Sequence, residues 1–302
     1  MQVDAEYYPA AALVTADIAL INLTGHKFPS GYPARRFWLE VVLKHPETGV
    51  RVWQSGALTP DGLSIEGADE AGLTSFEAHH TVIDSEEQVQ IYELVIADVT
   101  GAPTNLLERA AYTLKDNRLP PLGFTTNHPV YDTTAVVGAE VEADMLFGDF
   151  NRTEDGAEGS GADRIRYEMA LPADWPEGLT PEVEVKVWYQ AMPPRWVASM
   201  FETEAPAIAD FEGLYWDYAA PDLVTAQVTT PINLAGGTEL DGDASSYAVF
   251  PNPVASGEAL TLKDWSSEEP VACTWFDAQG KVLKRQLVAG YQPTLMVPSR
   301  SE

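Results

Sequence analysis

The chain has 302 residues, 45% hydrophobic and 21% charged, with 46 acidic against 18 basic side chains and a net charge of −28. That balance excludes nucleic acid as a partner and disfavours an anionic membrane surface, since both demand basic patches. What remains is a solvated acidic coat, or attraction of cations and basic redox partners.

Taken in order, residues 1–12 read as a lead-in with Tyr7, Tyr8 and Pro9. Val14 to Leu23 alternates as a strand, with Ile18 and Leu20 on one side. Phe37–Leu43 and Val50–Trp53 form a hairpin through Pro46-Glu-Thr-Gly49. Residues 55–78 are Gly- and acid-rich without periodicity, a long loop. Gln88–Ala97 is the clearest strand, with Val89, Ile91, Glu93 and Val95 on one face and Gln90, Tyr92, Leu94 and Ile96 on the other. Thr104 reads as the N-cap of a short helix through Leu114, with Leu106, Leu107, Ala110 and Ala111 as its apolar stripe. The acidic Gly-rich run 151–163 fails the twelve-residue calcium loop, because Ala162 stands where a Glu ligand is needed. Arg164–Leu171 and Glu182–Gln190 are strands. Pro193-Pro194 opens a helix over Arg195–Phe201, a second helix covers Ile208–Tyr218, and Thr225–Thr230 is a last strand. The expected fold is mainly β: a large β-sandwich with short helical insertions over 1–232, a linker at 233–245, and a small incomplete Ig-like β-sandwich over 246–302.

One connection stands out. Asn22-Leu-Thr-Gly-His-Lys-Phe-Pro-Ser-Gly-Tyr-Pro-Ala-Arg-Arg36 joins two core strands with far more than the two to five residues of a hairpin. Gly25 and Gly31 allow close approach or positive φ, and Pro29 and Pro33 stiffen the backbone. A rigid loop displaying His26, Lys27, Tyr32, Arg35 and Arg36 reads as a site rather than a linker. With His79-His-Thr-Val-Ile-Asp-Ser-Glu-Glu-Gln-Val-Gln-Ile-Tyr-Glu93 and Leu114-Lys-Asp-Asn-Arg-Leu-Pro-Pro-Leu-Gly-Phe124, this stretch resembles the β-rich C-terminal module of bacterial multihaem c-type cytochromes. Ser30 stands where the family usually has Thr. No Cys-x-x-Cys-His occurs, so the resemblance implies haem c in a missing upstream part and none bound covalently here.

The tail carries a second resemblance. Val249-Phe-Pro-Asn-Pro253, Leu260-Thr-Leu262 and a strand ending in Phe276-Asp-Ala-Gln-Gly-Lys-Val282 resemble the C-terminal sorting domain of type IX secretion substrates, here truncated. This implies passage through the type IX machinery and an extracellular or cell-surface location. Met1-Gln-Val-Asp has no secretion-signal pattern, so the true start is expected upstream. No apolar run reaches membrane-spanning length. Cys273 is the single cysteine, so disulfides within the chain and Cys-based zinc clusters cannot form.

No nucleophile motif, phosphate loop or His-Glu-x-x-His is present, and no catalytic residue is assigned. The chain is read as no enzyme by itself. His26, His79, His80, Arg35, Arg36 and Arg118 are the candidate contacts to a haem of the missing domain. His26 is the candidate iron ligand, and the arginines are candidate propionate contacts. Each has a plainer alternative: His26 stiffening its own loop, His79 and His80 structural, Arg118 paired with a nearby acid. A carbohydrate-binding or adhesion sandwich is the rival function. It would show exposed Trp on one sheet face and a calcium loop.

Overall fold

A computed structural model of the chain describes residues 1–69, 72 and 75–233, and from the C-terminal part the strands alone. Two compact units are present, residues 1–234 and 235–302.

The first unit is a β-sandwich. One sheet runs β11-β1-β2-β8-β5, built from β1 (Gln2–Tyr8), β2 (Leu13–Ile21), β5 (Val82–Ile83), β8 (Ala162–Ala170) and β11 (Ile232–Asn233). The facing sheet runs β10-β9-β3-β6-β7, from β3 (Arg36–Lys44), β6 (Ile91–Ala97), β7 (Tyr112–Asp116), β9 (Glu182–Gln190) and β10 (Asp222–Thr229); β4 (Arg51–Ser55) also pairs with β3. Period-two alternation supplies the core. Val14, Ala16, Ile18 and Leu20 of β2 with Ile165, Tyr167 and Met169 of β8 meet Phe37, Leu39, Val41 and Leu43 of β3 and Val183, Val185 and Val187 of β9. Each such aliphatic or aromatic side chain, fully buried, stabilises the fold by about 1.5–3 kcal/mol. Phe37 and Tyr92, paired across β3 and β6, stack at 4.3 Å between centroids.

β3 is covered on both faces, which explains its unbroken apolar run. Its outer side chain Trp38 packs with Ile65, Ala68, Val89 and Ile91, so the irregular segment around 57–69 acts as a lid over the sheet. Beyond it, α2 (Pro194–Phe201) and α3 (Pro206–Tyr218) pack through Val197 and Tyr215.

The expected helix at 104–114 does not form. Those residues hold a single 3-10 turn at Leu107–Arg109 and then enter β7. The Thr104 hydroxyl accepts Leu106 N–H locally, and Asn105 Nδ2 donates to Trp196 O at 2.7 Å. Leu106 and Leu107 stay exposed, so a helix there would have no apolar face to bury, while the edge of β6 offers 112–116 a partner. Conversely, α1 (Ala139–Phe147) and β1 were not expected from the sequence, though Val141 and Met145 at i, i+4 and Val3, Ala5 and Tyr7 at alternate positions mark both.

In the second unit β12 (Ala248–Phe250), β13 (Ala259–Lys263) and β16 (Thr294–Met296) form one small sheet, and β14 (Ser266–Phe276) pairs with β15 (Val282–Tyr291) in another. Of the expected linker at 233–245, Asn233 belongs to β11; its remainder, the Pro251-Asn-Pro253 part of the sorting motif and residues 277–281 lie outside the described residues.

Gly56 tests how tightly the lid is seated. Its φ is +74°, its carbonyl accepts the Trp38 indole N–H at 3.0 Å, and an added Cβ would sit 2.1 Å from Leu39 O. Gly49 shares the positive φ, at +68°, but faces open space. Gly49→Ala is expected to cost about 1 kcal/mol of backbone strain, and Gly56→Ala clearly more. Thermal unfolding followed by near-ultraviolet circular dichroism checks the order of the two.

Candidate functional site

Segments 22–36, 79–93 and 114–124, far apart in sequence, are tied together by buried amides. Asn22 Nδ2 donates to His26 O (2.8 Å), Leu119 O (2.9 Å) and Pro120 O (3.1 Å), while its Oδ1 accepts Thr24 N–H. Asn117 Oδ1 accepts Glu93 N–H (3.0 Å), and its Nδ2 donates to Ile91 O (2.8 Å). Phe28 bridges Leu119 in the backbone, and the Phe28–Pro29 peptide is cis. Lys27, expected on display, is instead buried. Its ammonium bonds Asp116 Oδ2 (2.8 Å) and Ala135 O, and burial lowers its pKa against the pull of Asp116.

His26 is exposed. Its Nδ1 lies 3.0 Å from Lys27 O. A carbonyl only accepts, so Nδ1 carries the hydrogen, and in the neutral ring Nε2 keeps its lone pair. Among the described residues Nε2 has no partner. That is the state of an imidazole ready to ligate a metal, with its other nitrogen held by a carbonyl.

His79 is the reverse case. It is buried, and its Nδ1 faces Gln90 Nε2 at 2.9 Å and Asn117 Nδ2 at 3.3 Å. Neither amide can turn over, because Gln90 Oε1 accepts His80 N–H and Asn117 is fixed by Glu93 N–H and Ile91 O. Two donors therefore force Nδ1 to accept, and the hydrogen sits on Nε2. There it points at Asp144 Oδ2 (3.0 Å) and Asp163 Oδ2 (3.8 Å). The ligand atoms of His79, Asp144 and Asp163 lie within 4.8 Å of one another, a spacing that fits a metal ion. The protonated Nε2 does not fit: metal binding would require an imidazolate flanked by two amide donors. Tyr92 OH donates to Asp163 Oδ2 at 2.6 Å, and burial pushes the Asp163 carboxyl up to about 6.

The remaining candidates divide. Arg36 was expected to face outward; it is fully buried, forked onto Asp69 at 2.6 Å through both terminal nitrogens and bonded to Gln190 Oε1. Burial raises Asp69, but the hydrogen bonds and charge of Arg36 outweigh it and leave the carboxyl below its usual range. Arg195 extends this network to Glu93 (2.7 Å), which Lys115 also meets at 3.4 Å. Arg36 and His79 are thus both buried, with their polar atoms engaged inside the fold. Arg118 folds back onto Asp116, at 2.8 and 2.7 Å. Arg35 is half-buried and donates one Nη1–H to Ser30 O, and His80 meets Glu77 at 3.0 Å. Asp144 and Asp163 were missed by sequence reasoning. The Ala-Asp-Met of α1 carries no motif, and Asp163 closes an acidic run that draws attention only as a loop.

No protein-family model matches the chain, and no curated protein does. Among solved structures it is similar to a penta-haem cytochrome c552 from Thermochromatium tepidum, with 16% sequence identity and a TM-score of 0.40. The match covers 76% of this chain and 39% of that one, a weak likeness to a multihaem cytochrome.

The two histidine tautomers are open to measurement. Nitrogen-15 spectra at pH 7 should show a pyrrole-type Nε2 and a pyridine-type Nδ1 for His79, and added zinc should leave both signals in place. The opposite assignment, or a zinc-dependent shift, would return the His79 cluster to the list of metal sites.

Proposed function

We propose that the first unit is a haem-free β module of a multihaem cytochrome that docks on a haem-bearing domain and offers His26 Nε2 to one haem iron. The observation that carries this reading is the His26 geometry: an exposed imidazole on a stiff loop, Nδ1 engaged by Lys27 O, Nε2 unspent. It is supported by the sequence blocks at 22–36, 79–93 and 114–124, which carry the resemblance and are joined through Asn22, Asn117 and Lys27. In this reading the buried network of Arg36, Asp69, Glu93, Lys115 and Arg195 is a brace behind the loop, not a haem contact. Arg35 is the arginine left to meet a propionate. The module performs no chemistry of its own; it caps a haem and supports electron transfer.

For residues 246–302 the same proposal assigns type IX sorting and an extracellular or cell-surface location, resting on the sequence motifs alone. No helix of the described residues is long and apolar enough to cross a membrane. The carbohydrate or adhesion alternative gains no support from the tryptophans. Among the described residues the exposed one, Trp216, lies on α3 and not on a sheet face.

A pyridine haemochrome assay of the polypeptide purified from its native host should find several covalently bound haems; none would overturn the cytochrome reading. In that protein His26→Ala should convert one haem from a low-spin bis-histidine spectrum to a high-spin one. Haem present but every spectrum unchanged would leave docking and remove ligation.

A further inference from the structure

Other buried acids in the described residues have a cation beside them: Asp69 has Arg36, Glu93 has Lys115 and Arg195, Asp116 has Lys27 and Arg118. Asp144 and Asp163 do not. Their side chains are 2% and 0% exposed, and among the described residues no lysine or arginine forms an ion pair with either. The imidazole between them is held as an Nε2–H donor by Gln90 and Asn117, whose amide N–H groups both face its Nδ1. One hydrogen thus faces two carboxylates. Asp144 has it at 3.0 Å, and its other oxygen accepts Asp149 N–H at 3.0 Å. Asp163 lies at 3.8 Å, with Tyr92 OH on Oδ2; its Oδ1 makes no close hydrogen bond, and the Arg164 backbone N–H exerts only a weak pull on the carboxyl.

Two uncompensated negative charges in such a site are costly, and the cheaper state keeps one proton on Asp163. Asp144 belongs to the C-terminal half of α1, close under Gly148, where a Cβ would lie 1.9 Å from Asp144 Oδ1. That turn of α1 walls an open hollow of about 690 Å³, with His79, His80 and Thr81 opposite and Arg164 and Arg166 alongside.

We propose that His79, Asp144, Asp163 and Tyr92 form a proton-operated latch on α1. With Asp163 neutral, the imidazole N–H belongs to Asp144 and the helix is held against the sandwich. When Asp163 gives its proton to solvent, the N–H is shared between two carboxylates that repel each other. The last turn of α1 then loosens and the hollow widens. The other titratable or charged groups facing the cluster are Tyr167 on β8, Glu140 on α1, His80 with Glu77, Arg166 of β8 paired with Asp17 of β2, and Asp149, Arg152, Glu154 and Arg164 around the adjoining hollow on the Asp163 side. The sign agrees with linkage. A carboxyl raised on folding, here to about 6, stabilises fully below its unfolded value and loses that contribution as pH rises through its folded one. The latch is closed in mild acid and open above neutrality.

Hydrogen–deuterium exchange of the full chain tests this, with labelling times scaled to equal chemical exchange at pH 5 and pH 7.5. Protection of amides in 140–149 should fall about tenfold at the higher pH, the effect of one unit of proton linkage, while β3 serves as an unchanged reference. Asp163→Asn still accepts from Tyr92 but cannot ionise, and should keep α1 equally protected at both pH values. Tyr92→Phe removes a bond that favours the ionised carboxylate, and should move the transition to higher pH. Equal protection of wild-type α1 at both pH values, or a fall that survives in Asp163→Asn, would overturn the latch. The second result would point to His80 and Glu77 instead.

Discussion

Two buried asparagines hold the candidate site in place. Where β2 ends at Ile21 and β7 at Asp116, the backbone leaves the sheet ladders and its polar groups need other partners. Asn22 supplies them for His26, Leu119 and Pro120, and Asn117 for Ile91 and Glu93. An amide side chain suits this task because it donates and accepts from one planar group, as a peptide does. Leaving such groups unpaired inside the protein costs about 1–3 kcal/mol each. The loop with His26 and the strand with Tyr92 are therefore referred to the same segment, 116–120. Histidine orientation follows from that framework. His79 takes its tautomer from Asn117 and Gln90, and His26 takes its own from the carbonyl of a residue whose ammonium is anchored on Asp116.

Charge is distributed on two scales. The chain as a whole carries a net −28, and charge exposed to solvent is screened. The interior is arranged pair by pair. Arg36, Arg195 and Lys115 surround Asp69 and Glu93, and both carboxyls stay below their ordinary range although burial pushes them up. A buried pair of this kind contributes little net stability compared with an apolar replacement, but losing one partner strands the other. The network therefore behaves as a brace: it fixes how the lid over β3 and the start of α2 sit against β6. Against this pattern, the cation-free carboxylates Asp144 and Asp163 are the exception.

The sandwich itself was legible in sequence. Arg164–Leu171 and Glu182–Gln190 alternate cleanly, and β8 and β9 lie there. Such patterns survive because one face of each strand must be apolar whatever its neighbours do. The 104–114 segment was misread for the opposite reason. Its composition permits a helix, but Asn105 is captured by α2 and Tyr112–Asp116 by β6, and neither partner is visible locally. In the site, the distinctive loop led to His26 and to Lys27, yet nothing nearby signals that Lys27 turns inward to Asp116, 89 residues away. Arg35 and Arg36 are adjacent and chemically alike. Only strand parity separates them: β3 begins at Arg36 and carries its side chain to Asp69 and Gln190, while Arg35 remains in the loop with Ser30.

The fitness of a histidine as a ligand is decided at the nitrogen that does not bind. A carbonyl there puts the hydrogen on that side and frees the other nitrogen's lone pair; an amide N–H does the reverse. Sequence shows His26 and His79 as equals, each beside a recognisable block. The structure gives them opposite partners, Lys27 O for one and the nitrogens of Gln90 and Asn117 for the other. Exposure follows the same division, since a ring with an unspent lone pair can remain at the surface in water, whereas the His79 ring has all its hydrogen-bonding capacity met inside. The same chemistry leaves the His26 Nε2 lone pair at the surface and ties the His79 Nε2–H to the carboxylates within the fold.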